Sequence, residues 1–279
     1  MDSSIHTTNS ALELQNKVSG YLDELVKRTD AASVSEEMVR FLDFSSRFHQ
    51  YSPNNLFLIM LSRPDSTRVA GYNQWLKLGR YVKRNEHGIK ILAPIIYKEL
   101  DSKGKEISRL SGFKVTNVFD VTQTEGAPLP RTPDWISSQK KAELQKKLIQ
   151  FAKSKGIDVV VEELDGEIQG VSLGKLIKLS PQAGSKTLIH EICHEVLHRV
   201  EKNPLPHALR EMQAEATAYV VSRFFGLEGL QCPNYIVLNG ATAGDILRNL
   251  SVINKTANGI IEGVLRISQQ SEFDSSVSN

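Results

Sequence analysis

Residues 187–198 form an apolar segment that contains the pattern His190-Glu191-x-x-His194. Apolar residues recur through it with helical spacing, so the segment is predicted to be a helix. Residues four apart lie on one helix face, and the two imidazoles can therefore bind one metal ion. Glu191 projects beside them, where a carboxylate can accept a proton from an activated water. The competing interpretation is a buried helix with hydrogen-bonded histidines.

A second predicted helix, residues 205–225, favours the metal interpretation. It carries Glu211 and Glu215 four residues apart, among small and apolar residues, and Gly226 follows as a stop signal. Acidic side chains on a face that is otherwise buried require a partner. Zinc held by two histidines requires a third protein ligand and keeps a fourth position for water. Either glutamate supplies that ligand.

Two further histidines compete for the role of third ligand. His198 lies one more turn along the first helix, but three histidines in successive turns of one helix cannot all converge on one ion. His207 is a stronger rival because it begins the next helical segment. Glu211 is preferred over His207 because that choice also accounts for Glu215.

Composition excludes several classes of protein. The 279 residues are 40% hydrophobic and 24% charged, as in ordinary globular proteins, and no apolar run approaches the ~20 residues of a membrane span. The N-terminus lacks the features of a secretory signal, so a cytoplasmic protein is expected. Two cysteines indicate no disulfide framework, and Cys193 is expected to be a small core residue.

Charge is distributed unevenly along the chain. Residues 47–98 contain nine basic side chains and two acidic ones, a net charge of +7, whereas the whole chain carries +2. The remainder is therefore acidic, at −5. This asymmetry predicts a polyanionic partner for the first half.

The order of predicted elements indicates an α+β protein. Helices are expected at 10–28, 35–49 and 53–61, followed by a short helix ending at Gly79 and strands at 89–98 and 113–121. Residues 122–134 contain Gly126 and three prolines and are typical of a linker. A helix at 137–155, three short strands between 157 and 179, the two metal helices and a last helix at 243–264 complete the chain.

Several motifs of the first half together resemble ArdC-type antirestriction proteins. They are Tyr51-Ser-Pro-Asn-Asn-Leu-Phe-Leu-Ile59, Val69-Ala-Gly-Tyr-Asn-Gln-Trp75, the segment from Leu78 to Ile91 and Phe119-Asp-Val-Thr-Gln-Thr-Glu-Gly126. In the second half, Gly170-Val-Ser, the H-E-x-x-H helix and Glu211-x-x-Ala-Glu215 resemble the zincin-like domain of the ImmA/IrrE metallopeptidases. The resemblance implies a single-stranded DNA-binding domain at 1–125 and a gluzincin-type zinc peptidase domain at 135–268. The Gly- and Pro-containing stretch 126–134 is expected to be the linker, and the Ser- and Asp-rich tail at 269–279 is expected to be disordered.

The resemblance also implies roles for individual residues. One Zn²⁺ is expected on His190, His194 and Glu211, with Glu191 catalytic and Glu215 orienting a metal-bound histidine or replacing Glu211 as ligand. Single strands are held by positive grooves and by aromatic faces that stack on bases. The DNA-binding set is expected to be Tyr51, Arg68, Tyr72, Trp75, Lys77, Arg80, Tyr81, Lys83, Arg84 and Lys90. Each aromatic could instead be a core residue, and Lys83-Arg-Asn-Glu-His-Gly88 departs from the Lys-Gly-Glu-Lys-Gly-type turn of relatives.

These observations favour a DNA-binding zinc metallopeptidase that cleaves a DNA-associated protein, in antirestriction or in the handling of DNA–protein crosslinks. Two alternatives stay open. The first is a non-proteolytic antirestriction protein that coats single-stranded DNA and has a structural zinc site. The second is a regulatory protease that cuts a repressor, with DNA as its activator or tether. The sequence predicts no membrane partner.

Overall fold

The computed structural model describes residues 7–27, 31–100, 104–129, 138–199, 205–230 and 242–277. The helices are α1 (Asn9–Lys27), α2 (Ala31–Arg47), α3 (Pro53–Ser62), α4 (Tyr72–Lys77), α5 (Ser138–Ser154), α6 (Ser185–His198), α7 (His207–Phe224) and α8 (Ala243–Val277). The strands are β1 (Val69–Gly71), β2 (Arg80–Val82), β3 (Ile89–Leu100), β4 (Glu106–Asp120), β5 (Thr124–Gly126), β6 (Asp158–Val161), β7 (Gly170–Ser172) and β8 (Leu176–Leu179). The predicted α+β class is confirmed.

Three small sheets accompany the helices. β3 and β4, the two predicted strands, form a long hairpin with a register shift between Ile95 and Ile96, and β1 pairs with the other edge of β4. β2 pairs with β5 in a separate antiparallel ribbon. In the third sheet β8 is central, parallel to β6 and antiparallel to β7. β7 is therefore an edge strand.

The buried apolar residues of both halves form one contiguous cluster, from Ala11 to Val264. α8 joins the halves, because it packs against α1 and α3 of the first and against α5, α6 and α7 of the second. α2 also packs against α7. Within the described ranges, no helix combines the length and apolar composition that crossing a bilayer requires.

Two regions differ from the sequence-based expectation. The predicted linker begins with ordered structure: a short 3-10 helix at Val121–Gln123 precedes β5, and only 130–137 lies outside the described residues. Pairing of β5 with β2 outweighs the local turn signals there. The tail expected to be disordered from residue 269 continues α8 as far as Val277. No proline or glycine follows Gly263, so nothing in the sequence stops the helix. The domain boundaries themselves stay a prediction.

A buried carboxylate organises the junction between β4 and the 3-10 helix. Asp120 is 1% exposed, and its side chain accepts hydrogen bonds from the backbone N–H groups of Thr67, Arg68 and Thr122 and from the Thr122 hydroxyl. Burial alone would raise the pKa of Asp120, but these hydrogen bonds outweigh it and hold the pKa below its ordinary value. The ionised carboxylate therefore stabilises the fold.

Asp120→Ala should lower the free energy of unfolding by about 1–3 kcal/mol at neutral pH, because buried N–H groups lose their acceptor. The contribution of Asp120 is present above the unfolded-state pKa of about 3.9 and is lost as pH falls through the lower folded-state pKa. Urea denaturation of wild type and variant across pH measures it. Asp65→Ala, in an exposed turn, is the control. An equal stability of both variants would remove this role from Asp120.

Candidate metal centre and nucleic-acid interface

α6 presents two histidines toward α7, as predicted. The inner face of α6 is formed by the fully buried Leu188, Ile189 and Ile192. Their burial fixes the rotation of the helix about its axis, so that His190 and His194 face the cleft on the other side. Cys193 is fully buried, as expected of a core residue, and burial raises the pKa of its thiol. On α7, the buried Ala214, Ala216 and Ala218 allow close packing against neighbouring helices.

Three side chains converge between α6 and α7. The Nε2 atoms of His190 and His194 are 3.0 Å apart, and Glu211 Oε2 lies 3.8 Å from the first and 3.4 Å from the second. Among the described residues, His190, His194 and Glu211 form the one group of His, Cys, Asp or Glu side chains able to hold a metal ion.

The donor set fits a tetrahedral zinc ion. Bonds of about 2.0–2.2 Å at tetrahedral angles place neighbouring ligand atoms about 3.3–3.6 Å apart. The three donor–donor distances, 3.0, 3.4 and 3.8 Å, bracket that range. Burial is the main cause that lowers the pKa of His194, and the nearby His190 lowers it further. The low pKa favours the neutral imidazole, which is the form that binds metals.

Glu191 lies beside this group and is 7% exposed. Burial raises its pKa to about 7, and the neighbouring carboxylates of Glu211 and Glu195 add to the shift, whereas a hydrogen bond from the Ser172 backbone opposes it. A carboxylate with a pKa near neutral pH is suited to accept and return a proton.

The edge strand β7 approaches α6 closely at Gly170. A Cβ atom at residue 170 would lie 2.8 Å from the Thr187 Cγ2 atom and 3.1 Å from the Glu191 Cγ atom. Glycine is therefore required for this approach. A cavity of about 470 Å³ follows the strand and includes Gly170, Ser172, His190, Glu191 and Glu211 in its lining.

Glu195 holds β7 in place, and sequence reasoning missed it. Its carboxylate is 2% exposed and accepts hydrogen bonds from Ser172 Oγ (2.7 Å), the Gly174 N–H (2.7 Å) and the Lys175 N–H (2.8 Å). The available signal was its spacing, because Glu191 and Glu195 are four apart in the same way as the two histidines.

The remaining candidates near the centre are placed as follows. Glu215 lines a second cavity, of about 380 Å³, together with His190 and Glu211, and it is not part of the converging group. His207 Nε2 lies 3.6 Å from the other oxygen of Glu211 and its side chain is 78% exposed. His198 Nε2 is 3.2 Å from the Arg210 carbonyl oxygen. The assignment of Glu211 over Glu215 stays a prediction.

The predicted DNA-binding residues fall into two groups. One group stabilises the fold. Trp75 is 2% exposed and donates from Nε1 to the Phe119 carbonyl, and the half-buried Tyr51 donates its hydroxyl to the Val69 carbonyl. Trp75 is too deeply buried to present a ring face for stacking. Arg80 donates to the carbonyls of Thr124 and Ala127 and thereby ties β2 to β5, and Lys83 donates to the Thr122 carbonyl.

The second group is exposed. Tyr72 is 51% exposed and Tyr81 is 59% exposed, on the neighbouring elements α4 and β2. Lys77, Arg84 and Lys90 are exposed as well, and Arg68 is half-buried. The surface formed by Tyr72, Lys77, Tyr81 and Arg84 is called the α4–β2 surface below.

Comparison with known proteins assigns the first half. The family model for the N-terminal domain of the anti-restriction factor ArdC matches residues 13–157, just over half of the chain. The chain belongs to the ArdC N-terminal domain family. This match ends before α6, so the zincin resemblance of the second half stays a prediction.

Other similar proteins are more distant. An uncharacterised Bacillus anthracis protein is 23% identical over 82% of this chain, and the chain spans only about half, 48%, of that protein's length. Two crystal structures of the antirestriction protein ArdC from the R388 plasmid, one metal-free and one with bound Mn(II), are each 18% identical and cover 77% of this chain. The alignments cover 86% and 84% of those chains, with TM-scores of 0.42 and 0.43.

Metal analysis of ligand variants tests the centre. Glu211→Ala should lower zinc content from about one ion per chain to near zero, because two histidines alone leave the ion too few protein ligands. Glu215→Ala and His207→Ala, one turn to either side on α7, are matched controls that should keep the zinc. Inductively coupled plasma mass spectrometry after dialysis gives the stoichiometry. If Glu211→Ala retained its zinc and one of the controls lost it, the residue changed in that control would be the third ligand.

Proposed function

We propose that this protein is a zinc-dependent peptidase joined to a domain that binds single-stranded DNA. The observation that supports the peptidase activity best is the arrangement around α6. His190, His194 and Glu211 converge, a buried Glu191 lies beside them, and a sheet edge borders the same cavity. Site geometry of this kind supports hydrolysis of an extended peptide.

His190, His194 and Glu211 would hold the ion. When bound, zinc supplies a Lewis acid that polarises a carbonyl group and lowers the pKa of a coordinated water toward ~7. Glu191 accepts a proton from the water whose oxygen bonds to the peptide carbonyl carbon. It then returns that proton to the nitrogen atom as the C–N bond breaks. Burial raises the pKa of the Glu191 carboxyl, which helps it to hold the proton between the two transfers.

β7 would position the substrate. An extended peptide can add to an exposed sheet edge through main-chain hydrogen bonds. β7 pairs only with β8 in its sheet as described, and Glu195 and Gly170 hold it against α6. A peptide along this edge would pass the converging side chains.

Membership in the ArdC N-terminal domain family supports an antirestriction role that acts on DNA. The +7 charge of residues 47–98 and the two exposed tyrosines of the α4–β2 surface support binding of single strands. A peptidase tethered to DNA in this way would act on DNA-associated proteins. We infer that its substrate belongs to that class.

One observation favours a second function. The family match covers residues 13–157, the part of the chain without the metal group. A protein that coats single-stranded DNA and uses the metal only for stability would also satisfy that match. Dependence of cleavage on Glu191 separates the two functions.

Glu191→Gln should keep the zinc and lower the rate of proteolysis by about 10²–10⁴-fold, since the amide cannot accept the proton. The measurement is cleavage of candidate DNA-binding proteins by the zinc-loaded chain, with and without a single-stranded oligonucleotide. Glu163→Gln, at an exposed acid after β6, is the control. A wild type that cleaves nothing, or a Glu191→Gln protein that cleaves at the wild-type rate, would argue for the coating function.

Tyr72→Ala and Tyr81→Ala should each weaken single-strand binding by about 1–3 kcal/mol, the contribution of one base stacked on one aromatic ring. Fluorescence anisotropy with a labelled oligonucleotide measures the loss. Tyr97→Ala is the matched control, because this tyrosine is 38% exposed on β3 and outside the predicted set. Equal losses at Tyr97 and at the α4–β2 surface would mean that the tyrosines do not define the site.

A further inference from the structure

A cavity of about 430 Å³ lies between α1, the end of α3 and the start of β3. Four basic or titratable side chains from these three segments line it: Lys17, Arg63, His87 and Lys90. No carboxylate is among its described lining residues. Three of these residues, Lys17, Arg63 and His87, lie outside the DNA-binding set expected from the sequence.

Most of the cationic groups that line this cavity have donors available to a ligand. In the part of the chain that the structure describes, the amines of Lys17 and Lys90 and the ring of His87 form no hydrogen bond or ion pair, whereas Arg80 and Lys83 donate to backbone carbonyls. Arg63 donates one amino group to the Thr122 hydroxyl at 3.2 Å. A guanidinium carries five N–H donors, so most of its donors stay available.

The wall of the cavity is fixed by the fold. The His87 carbonyl accepts a 2.8 Å hydrogen bond from the buried Gln123 side chain, which holds the loop before β3. At Gly88 a Cβ atom would lie 2.7 Å from the Asn117 Cβ atom, so a larger residue would push this loop away from β4. Thr122, which orients Arg63, is itself bound to the Asp120 carboxylate. Arg63 is thus oriented by the hydrogen bonds of Thr122, and the His87 loop is held by Gln123 and by the close contact at Gly88.

The lining is apolar on another side. Leu58 and Ile89 are buried and Leu14 is half-buried. A volume of about 430 Å³ lies within the usual range of small-molecule sites, roughly 300–1,000 Å³. Clustered lysine and arginine donors next to an apolar wall match a ligand that has a phosphate and a flat base.

We propose that this cavity binds the phosphate of one nucleotide unit. The unit is either part of a DNA strand or a free nucleotide, and both sources share the phosphate that Lys17, Arg63 and Lys90 would contact. The proposal goes beyond strand binding at the α4–β2 surface, because it assigns a discrete pocket to one phosphate. The loop from Lys83 to Gly88 connects β2 of that surface to the cavity in sequence.

The test compares two double variants of the full chain. Lys17→Ala with Lys90→Ala removes two cavity charges. Lys27→Ala with Lys114→Ala removes two exposed charges from the same helix and from the strand paired with β3, and serves as the matched control. The probes are deoxyadenosine monophosphate by calorimetry, and oligonucleotides of about ten residues with a 5′-phosphate or a 5′-hydroxyl by anisotropy. Thermal melting checks that both variants are folded.

The cavity variant should bind its phosphate probe about tenfold more weakly or worse, which corresponds to about 1.4 kcal/mol, while the control stays near wild type. The salt dependence of oligonucleotide binding should fall by about 0.7 in logarithmic slope per lost phosphate contact. A loss confined to 5′-phosphorylated strands assigns the cavity to strand ends. Equal losses with both strands assign it to internal phosphates, and a loss seen with the mononucleotide alone assigns it to free nucleotides.

Three results would overturn the proposal: a wild type that binds none of the probes, a cavity variant that binds them all as well as wild type, or a control that loses as much affinity. Strand binding that depends on Tyr72 and Tyr81, with neither strand nor mononucleotide binding dependent on Lys17 and Lys90, would remove the cavity and leave the proposed DNA-binding function intact.

Discussion

The hydrogen bonds accepted by Glu195 determine how the second half of the molecule is assembled. A buried carboxylate needs several donors, and here they come from a serine hydroxyl and two backbone N–H groups of the turn after β7. These bonds clamp a sheet edge onto α6. Gly170 permits the contact, Glu191 becomes buried under it, and the histidines are left facing α7. The positions of Glu191, of the two histidines and of the β7 edge therefore share one origin.

The basic residues of the ArdC-family half have two distinct roles. Arg80 and Lys83 donate to backbone carbonyls of the segment 122–127. These two charged side chains therefore stabilise the fold. Lys17, Lys77, Arg84 and Lys90 face solvent or a cavity. Amino-acid composition does not separate these two roles. The hydrogen-bond partner of each ammonium or guanidinium group shows whether that group stabilises the fold or is available to a ligand.

Much of the candidate metal centre could be predicted from the sequence because its determinants are local. Helical periodicity fixes which side chains share a face, and a four-residue spacing brought His190 and His194 together, with Glu211 on the next helix. The rest depends on contacts distant in sequence. Nothing near Trp75 indicates that Phe119 accepts its N–H, and nothing near Glu195 indicates that residues 172–175 fold back to it. The end of α8 was misjudged because a polar composition was taken for disorder, although the segment has no residue that breaks a helix.

The packing of α8 has a consequence for how such a chain can evolve. The apolar surface of α8 is shared by α1, α3 and α5 from the ArdC-family part of the chain and by α6 and α7 from the part with the candidate metal centre. A gene fusion or exchange that replaced either half alone would leave part of that shared apolar surface exposed to water. The two halves are therefore expected to be inherited as a unit, and compensating substitutions should concentrate along α8.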